Sequence, residues 1–159
     1  MIDTDEDGRI DRWEEYGDAG QLIKAEWERP KPPTAVDQTM TGKPDAAAYM
    51  AADGTVERIE YSERSADGQQ MAVVRREFYR ATRMQRAEED TDGDGQMDRF
   101  EHFNADGQLV SVEFDEIKPF DGKADRRLTY DANGVLVLIE TQPDGAGGYL
   151  KKVTPGGKN

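Results

Sequence analysis

The stretch DTDGDGQMDRFEHFNADGQLVSVEF, residues 90–114, joins an acidic loop, a short apolar segment, a tight turn and a second apolar segment. Aspartates stand at alternate positions, Asp90, Asp92 and Asp94, and are followed by Gly95 and Asp98. A near-copy, DTDEDGRIDRWEEYGDAGQLIKAEW, occupies residues 3–27. Because the chain contains this pattern twice, we take it as the repeat unit that decides the fold.

Glycines mark two kinds of corner along the chain. The first kind recurs every 23 to 34 residues, at Gly8, Gly42, Gly68, Gly95, Gly122 and Gly145. A second glycine follows twelve residues later in four of these units, at Gly20, Gly54, Gly107 and Gly134. Asp-Gly and Asn-Gly pairs suit the positive φ angles of tight hairpin turns. The spacing therefore predicts a series of hairpins.

The segments between these corners are rich in aromatic and β-branched residues. Val110, Val112 and Phe114 alternate with less apolar residues, which is typical of a half-buried strand. We predict an all-β fold, an antiparallel meander of repeated β-hairpins with roughly ten short strands and a thin core. Residues 63–90 lack the second glycine, and their alanine and arginine content also permits one helical or irregular segment.

The expected domain organisation follows from the prolines. Residues 1–27 form a first hairpin unit with its acidic loop, and residues 46–159 form a hairpin-repeat sheet. Between them, residues 28–45 contain four prolines, which cannot donate hydrogen bonds to a sheet. We predict an irregular connection there.

Charge and composition exclude several classes of function. The formal net charge of -13 argues against nucleic acid and anionic membrane surfaces as partners and favours cations or basic partners. The chain has no cysteine, which excludes disulfides and thiolate chemistry. We find no apolar stretch long enough to span a bilayer.

The acidic loops have the composition of sites for hard divalent cations. Short carboxylates at alternate positions of a tight loop converge on one point, and glycine permits the bend. We predict calcium (Ca²⁺) in both complete loops rather than two solvated acidic turns. The expected ligands are side chains and two backbone carbonyls, those of Arg9 and Gln96: Asp3, Asp5, Asp7, Arg9 and Asp11 in the first loop, and Asp90, Asp92, Asp94, Gln96 and Asp98 in the second.

The other loops retain fewer of these acids. The 115–125 loop keeps Asp115, Asp121 and Asp125 but is longer, and we expect it not to bind calcium. Residues 37–45 retain only Asp37 and Asp45, which are too few hard ligands.

The acidic loop resembles two known kinds of calcium loop. Its spacing is similar to that of EF-hand proteins, and this resemblance adds the acid at the twelfth position, Glu14 or Glu101, as a bidentate ligand. It is closer to the DxDGDGxxD loop that joins two strands in integrin-type propeller blades. The tight turns, such as FNADGQLVSV, resemble those of tyrosine-aspartate repeat proteins. The whole chain is similar to acidic hairpin-repeat proteins of bacterial envelopes and secretions, which implies a hairpin fold and calcium but no activity.

No reaction centre is recognisable in the sequence. The only histidine, His102, lies in a predicted strand without a nucleophile setting. We expect a non-enzymatic, calcium-binding structural or interaction module. A protein partner would bind its sheet face or an edge strand, for instance in an envelope complex of which the chain is an accessory subunit. The alternatives are a carbohydrate-active or carbohydrate-binding domain, with a polysaccharide as partner, and a calcium sensor of EF-hand type.

The expected calcium affinity indicates the compartment. Exposed, flexible loops bind calcium with dissociation constants of about 10⁻⁴ to 10⁻³ M, which suits the outside of a cell. We therefore expect an extracytoplasmic protein. The sequence begins inside a repeat, so we also expect that a leader has been removed.

Overall fold

The computed structural model describes residues 1–4, 6, 8, 10–30, 43–64, 71–117 and 121–156. Met1–Thr82 and Arg83–Asn159 form two compact units. Within the described residues all regular elements are β-strands, eleven in number, and none is a helix. The predicted all-β antiparallel meander of hairpins is confirmed.

The first unit contains five strands that pair antiparallel with their neighbours in sequence order. They are β1 (Arg12–Tyr16), β2 (Leu22–Trp27), β3 (Ala46–Met50), β4 (Val56–Arg64) and β5 (Met71–Arg80). An isolated bridge between Ile2 and Arg12 lies beside β1.

The second unit contains six strands with the same sequential antiparallel pairing. They are β6 (Arg83–Glu89), β7 (Arg99–Phe103), β8 (Leu109–Phe114), β9 (Arg126–Tyr130), β10 (Leu136–Pro143) and β11 (Tyr149–Val153).

The described residues of the range 63–90 lie in strands, except for the turn at Ala81 and Thr82 and the loop residue Asp90. In β5 the side chains alternate, so that Phe78 lies opposite Arg58 and Arg76 lies opposite Glu60. This period of two along the strand outweighs the intrinsic helix propensity of the alanine and arginine residues. The helical alternative for this segment is therefore wrong, while residues 65–70 lie outside the described part.

The first hairpin is not separated from the strands that follow it. Lys24 of β2 lies directly opposite Tyr49 of β3, so β2 and β3 pair across the predicted Pro-rich connection. The two compact units divide between Thr82 and Arg83, a different place from the predicted domain boundaries at 27 and 46. Residues 31–42 of that connection lie outside the described residues.

Five turns share one geometry. In each, the N–H of the first turn residue donates to the carbonyl of the fifth, at 2.8 or 2.9 Å. These pairs are Gly17 and Gln21, Ala51 and Thr55, Asn104 and Gln108, Asp131 and Val135, and Asp144 and Gly148. The fourth residue is a glycine with positive φ, such as Gly134 at 76°, where a Cβ atom would be strained. The predicted role of these glycines in tight turns is confirmed.

A ladder of alternating charges crosses strands β8 to β11 on one face of the second unit. Arg127 binds Glu140 through Nε and Nη2, at 2.7 and 2.6 Å, and its Nη1 lies 3.6 Å from Glu113. Lys152 binds the other oxygen of Glu140 at 2.8 Å. Glu140 is only 2% exposed, and these cations lower its pKa, Lys152 contributing most. The ladder connects four neighbouring strands.

The core is thin, as the low apolar content predicts. Among the described residues, the buried apolar side chains are Ala25, Ala46, Ala48, Ala87 and Val112. Aromatic residues such as Trp13 and Phe100 are half-buried. No helix of the described chain is long and apolar enough to cross a membrane.

We expect Glu140→Gln to lower the free energy of unfolding by about 1–2 kcal/mol at neutral pH, because two cations lose a charged partner. Because the pKa of Glu140 is lowered in the folded protein, this stabilisation is fully present above the ordinary pKa of glutamate. It is lost as the pH falls through the folded-state pKa. Urea denaturation across the acidic range measures both effects. Glu113→Gln is the control, because its ion pairs are longer and more exposed. Equal losses of unfolding free energy in Glu140→Gln and Glu113→Gln would contradict the central position of Glu140 in the ladder.

Candidate metal centre

The Asp90–Asp98 loop is fixed to the sheet at both ends. It connects β6, which ends at Glu89, to β7, which begins at Arg99. The N–H of Asp98 donates to the carbonyl of Glu89 at 2.9 Å, and the carbonyl of Asp98 accepts the N–H of Asp115 at 2.9 Å. The loop therefore continues the hydrogen-bond ladder of three strands. Because strands flank it on both sides, the EF-hand alternative is wrong for this chain.

The loop folds back on the carboxylate of Asp90. Oδ1 of Asp90 accepts the N–H of Gly93 at 2.7 Å, and Oδ2 accepts the N–H of Gly95 at 2.8 Å. Both glycines have positive φ, 76° and 91°. At the other end, Asp98 accepts the N–H of Thr91 at 3.1 Å and its hydroxyl at 2.8 Å. Two acids thus shape the loop through backbone donors.

Three carboxylates meet inside this frame. Asp90, Asp92 and Asp98 each bring one oxygen to a point where all three oxygens lie within 4.8 Å of one another. Asp90 and Asp98 are each 7% exposed, and Asp92 lies at the surface. Three negative charges at this separation repel one another unless a cation lies among them. The donor set consists of hard oxygens, which fits calcium.

Two of the remaining predicted carboxylates lie outside this cluster. The carboxylate of Asp94 accepts the N–H of Gln96 at 2.9 Å, and Asp94 does not belong to the three-carboxylate cluster. The backbone carbonyl of Gln96 stays a predicted ligand. Glu101 lies within β7, opposite Ala87 and Val112, and its carboxylate binds Arg99. An acid at the twelfth position reaches an EF-hand site from a helix, whereas a strand carries Glu101 away along the sheet.

The first loop repeats the frame wherever it is described. The N–H of Gly8 donates to Oδ2 of Asp3 at 2.8 Å, as that of Gly95 does to Asp90. Asp11 accepts the N–H of Thr4 at 3.1 Å and its hydroxyl at 2.5 Å. Among the described residues, the buried Oδ1 of Asp3 has no hydrogen-bond partner, an unfavourable position that a cation would relieve.

The other predicted ligands of the first loop do not complete the site in the described residues. Asp5, Asp7 and Arg9 lie outside the part of the chain that the structure describes. Glu14 lies on β1 and binds Arg12 at 2.7 Å and the hydroxyl of Tyr16 at 2.6 Å. The Tyr16 hydrogen bond is the main cause of the lowered pKa of Glu14.

In four loops the same hydrogen bond joins the two ends of the loop, and the sequence pattern did not predict it. In each, the residue after the opening acid donates its N–H to the carboxylate of the closing aspartate. The opening and closing acids are Asp3 and Asp11, Glu28 and Asp45, Asp90 and Asp98, and Asp115 and Asp125. The recognisable signal is an aspartate immediately before a strand. The closing aspartate therefore has a structural role in loops with and without a complete set of acids.

The 115–125 loop buries its opening acid most deeply. Asp115 is 2% exposed and accepts the N–H of Gly122 at 2.8 Å. Burial raises its pKa, and the negative charges of Asp125 and Asp121 act in the same direction. These acids form no three-carboxylate cluster within the described residues, and residues 118–120 lie outside them. The absence of calcium from this loop stays a prediction.

Comparisons with known proteins give no family for the chain. No protein-family model matches it, and no curated protein does. One similar solved structure is a TarM mutant of S. aureus in complex with fondaparinux, α-GlcNAc-glycerol and UDP. It has 14% identity and a TM-score of 0.46, over 62% of this chain and 18% of that chain.

Two further solved structures show similarly low values. The GtfA/B complex bound to UDP and GlcNAc has 16% identity and a TM-score of 0.46, over 81% of this chain and 24% of that chain. Accessory secretory protein 1, 2 and 3 of Streptococcus pneumoniae gives 18% identity and a TM-score of 0.32, over 89% and 20%. The chain spans between 18% and 24% of the length of these three chains. Similarity at this level carries no information about function.

The two roles of the loop acids are separable by mutation. In the presence of a calcium chelator, we expect Asp98→Ala to lower the free energy of unfolding by about 1–2 kcal/mol, because buried backbone and hydroxyl donors lose their acceptor. Asp92→Ala should change it by less than about 0.5 kcal/mol, since Asp92 is exposed and its removal relieves repulsion. Chemical denaturation of both variants measures the difference. Equal destabilisation would contradict the structural role of Asp98.

The raised pKa of Asp115 predicts a stability cost at neutral pH. Ionisation of this buried carboxyl removes stability as the pH rises from the ordinary pKa of aspartate through the higher folded-state value. Asp115→Asn retains an acceptor for Gly122 and removes the charge. We expect the variant to be at least as stable as the parent above that range, with or without calcium, in thermal denaturation. A loss of stability only when calcium is present would show that this loop binds the ion.

Proposed function

We propose that the chain is a non-enzymatic, calcium-binding β-repeat protein that acts as a structural or interaction module. The observation that supports this best is the convergence of the Asp90, Asp92 and Asp98 carboxylates inside a backbone-anchored loop. The buried Oδ1 of Asp3, which has no hydrogen-bond partner in the described part of the chain, supports a second site in the first loop. Backbone carbonyls and water complete the six to eight oxygens that calcium takes.

Calcium in the second loop would join neighbouring strands. Asp90 follows β6 directly, and Asp98 immediately precedes β7. The carbonyl of Asp98 also accepts the N–H of Asp115 at the end of β8. A cation held by Asp90 and Asp98 therefore acts across the corner between two strands and supports the third through the backbone.

The energetic effect is large for a domain with a thin core. At a free calcium concentration about ten times the dissociation constant, each occupied site adds about 1.4 kcal/mol to stability. A typical domain is stable by only about 5–15 kcal/mol. Two sites thus make folding dependent on calcium, which suits an extracytoplasmic protein at dissociation constants of about 10⁻⁴ to 10⁻³ M.

A protein partner fits the exposed surfaces of the sheet. On β11, Leu150 is 74% exposed and Val153 is 47% exposed, and Lys151 and Lys152 lie between them. Strands with free edges and half-buried faces bind other chains through backbone pairing or side-chain pockets. We propose that the chain is an accessory subunit of an envelope complex.

Calorimetric titration with calcium tests the proposal on the full chain. We expect two weak sites, of which Asp92→Asn removes one and Asp3→Asn the other, because each substitution removes one anionic ligand and retains the size of the side chain. The double variant should give no calcium-dependent increase in melting temperature. Asp144→Asn, in a tight turn, is the matched control and should retain both sites. Absence of binding heat with the parent chain would refute the proposal.

A further inference from the structure

A groove opens on one face of the first unit. Its volume is about 620 Å³, and its floor contains Ala25 and Ala48, which are each 5% exposed. Trp27 and Met50 contribute apolar walls, and Asp11 and Glu28 lie at the end near the first acidic loop. The volume lies within the range of about 300–1,000 Å³ that ligand-binding pockets have.

The repeat shows why the groove exists. In the first unit, Glu14, Ala25, Ala48 and Ile59 lie opposite one another in a row across β1 to β4. The matching row in the second unit is Glu101, Val112, Leu128 and Ile139. Both rows begin with glutamate and end with isoleucine. The two middle positions are large in the second unit and alanine in the first, so the space that Val112 and Leu128 fill is open.

A neighbouring position shows the same change. Phe114 of β8 lies opposite Arg126 of β9, and the Arg126 guanidinium lies 4.4 Å from the centre of the Phe114 ring. In the first unit the matching pair is Trp27 and Ala46. Trp27 therefore has no arginine from β3 over its ring, although tryptophan is the aromatic residue that attracts cations most strongly.

The charges near the groove favour a cationic occupant. Asp11 lines the groove and carries negative charge, and the chain as a whole has a net charge of -13. Arg12 also lines the groove, but its guanidinium is paired with Glu14 at 2.7 Å. A guanidinium near Trp27 would restore the contact that Arg126 makes in the second unit.

We propose that this groove binds an extended, basic segment of a partner protein. One aliphatic side chain of the segment packs on Ala25 and Ala48, and an arginine two residues away packs against Trp27 near Asp11. The spacing follows from the period of two along an extended chain. This inference deepens the interaction role proposed above and rests on it, but it does not depend on calcium binding.

Tryptophan fluorescence tests the groove directly. The full chain is used with Trp13→Phe, because Trp13 lies on the opposite face and the matching residue of the second unit is Phe100. The probe is a short peptide of alternating arginine and leucine, titrated at physiological ionic strength. We expect a saturable change in Trp27 fluorescence. Filling the groove by Ala25→Val with Ala48→Leu, the residues of the second unit, should weaken binding at least about tenfold.

The control variant, Ala47→Leu, carries an alanine-to-leucine change on the other face of the sheet. Ala47 immediately precedes the groove residue Ala48 on β3, but its side chain shares the opposite face with Glu26 and Glu60. The control variant should bind the peptide like the parent, because the groove lining is unchanged; the charge is the same in every variant. Undiminished binding by the groove-filled variant would overturn the proposal, because it would indicate unspecific attraction by charge. Equal weakening in both variants would also overturn it, because the loss would then not come from filling the groove. So would equal binding of a glutamate-leucine peptide, or a response only to a neutral glucose oligosaccharide.

Calcium titration of the same proteins separates the two proposals. Calcium binding that persists in the groove-filled variant, together with loss of peptide binding, supports both. If the parent chain binds calcium and not the peptide, the groove proposal is overturned and the calcium proposal stands.

Discussion

The hydrogen bond from the residue after each opening acid to the carboxylate of the closing aspartate is the constraint on which the acidic corners depend. It occurs in four loops that differ in length and sequence, with Thr4, Arg29, Thr91 and Glu116 as donors. The closing aspartate is also the last residue before a strand, so its backbone is already part of the sheet. Its side chain and main chain thereby fix the loop and the register of the next strand together.

This constraint matters because few apolar side chains are buried among the described strands. Four of the five buried apolar residues in the described chain are alanines, and each removes little surface from water. Buried acids instead take central positions, as Glu140 does between Arg127 and Lys152 and Glu77 does between Arg75 and Tyr79. Directional polar contacts therefore contribute to holding neighbouring strands in place, because a satisfied polar network fixes the positions of its members.

The strands and tight turns were predictable because their signals are local. The apolar alternation in residues 109–114 predicts a strand, and glycines such as Gly134 predict turns with positive φ. Both predictions were confirmed. The predicted ligand set of the second loop was only partly brought together. Asp90, Asp92 and Asp98 converge, whereas Asp94, predicted from its alternate position, accepts the N–H of Gln96. Glu101 was predicted by spacing from loops that a helix follows. In a strand, the same spacing turns Glu101 to the sheet face beside Arg99. The pairing of Asp45 with Arg29 spans a long connection, and no local pattern predicts such a distant contact.

The repeat also separates what the architecture requires from what an individual unit has gained. Positions that recur in both units, such as Glu14 and Glu101 beside an arginine two residues earlier, follow from the demands of the sheet. Where the two units differ at a position whose neighbours are the same in both, the requirements of the sheet do not explain the difference. Ala25 and Ala48 lose apolar burial that Val112 and Leu128 provide at the same places, and large-to-small changes of this kind cost stability. The groove lined by Ala25 and Ala48 is the local consequence of that loss, because the strands on either side keep the same register in both units.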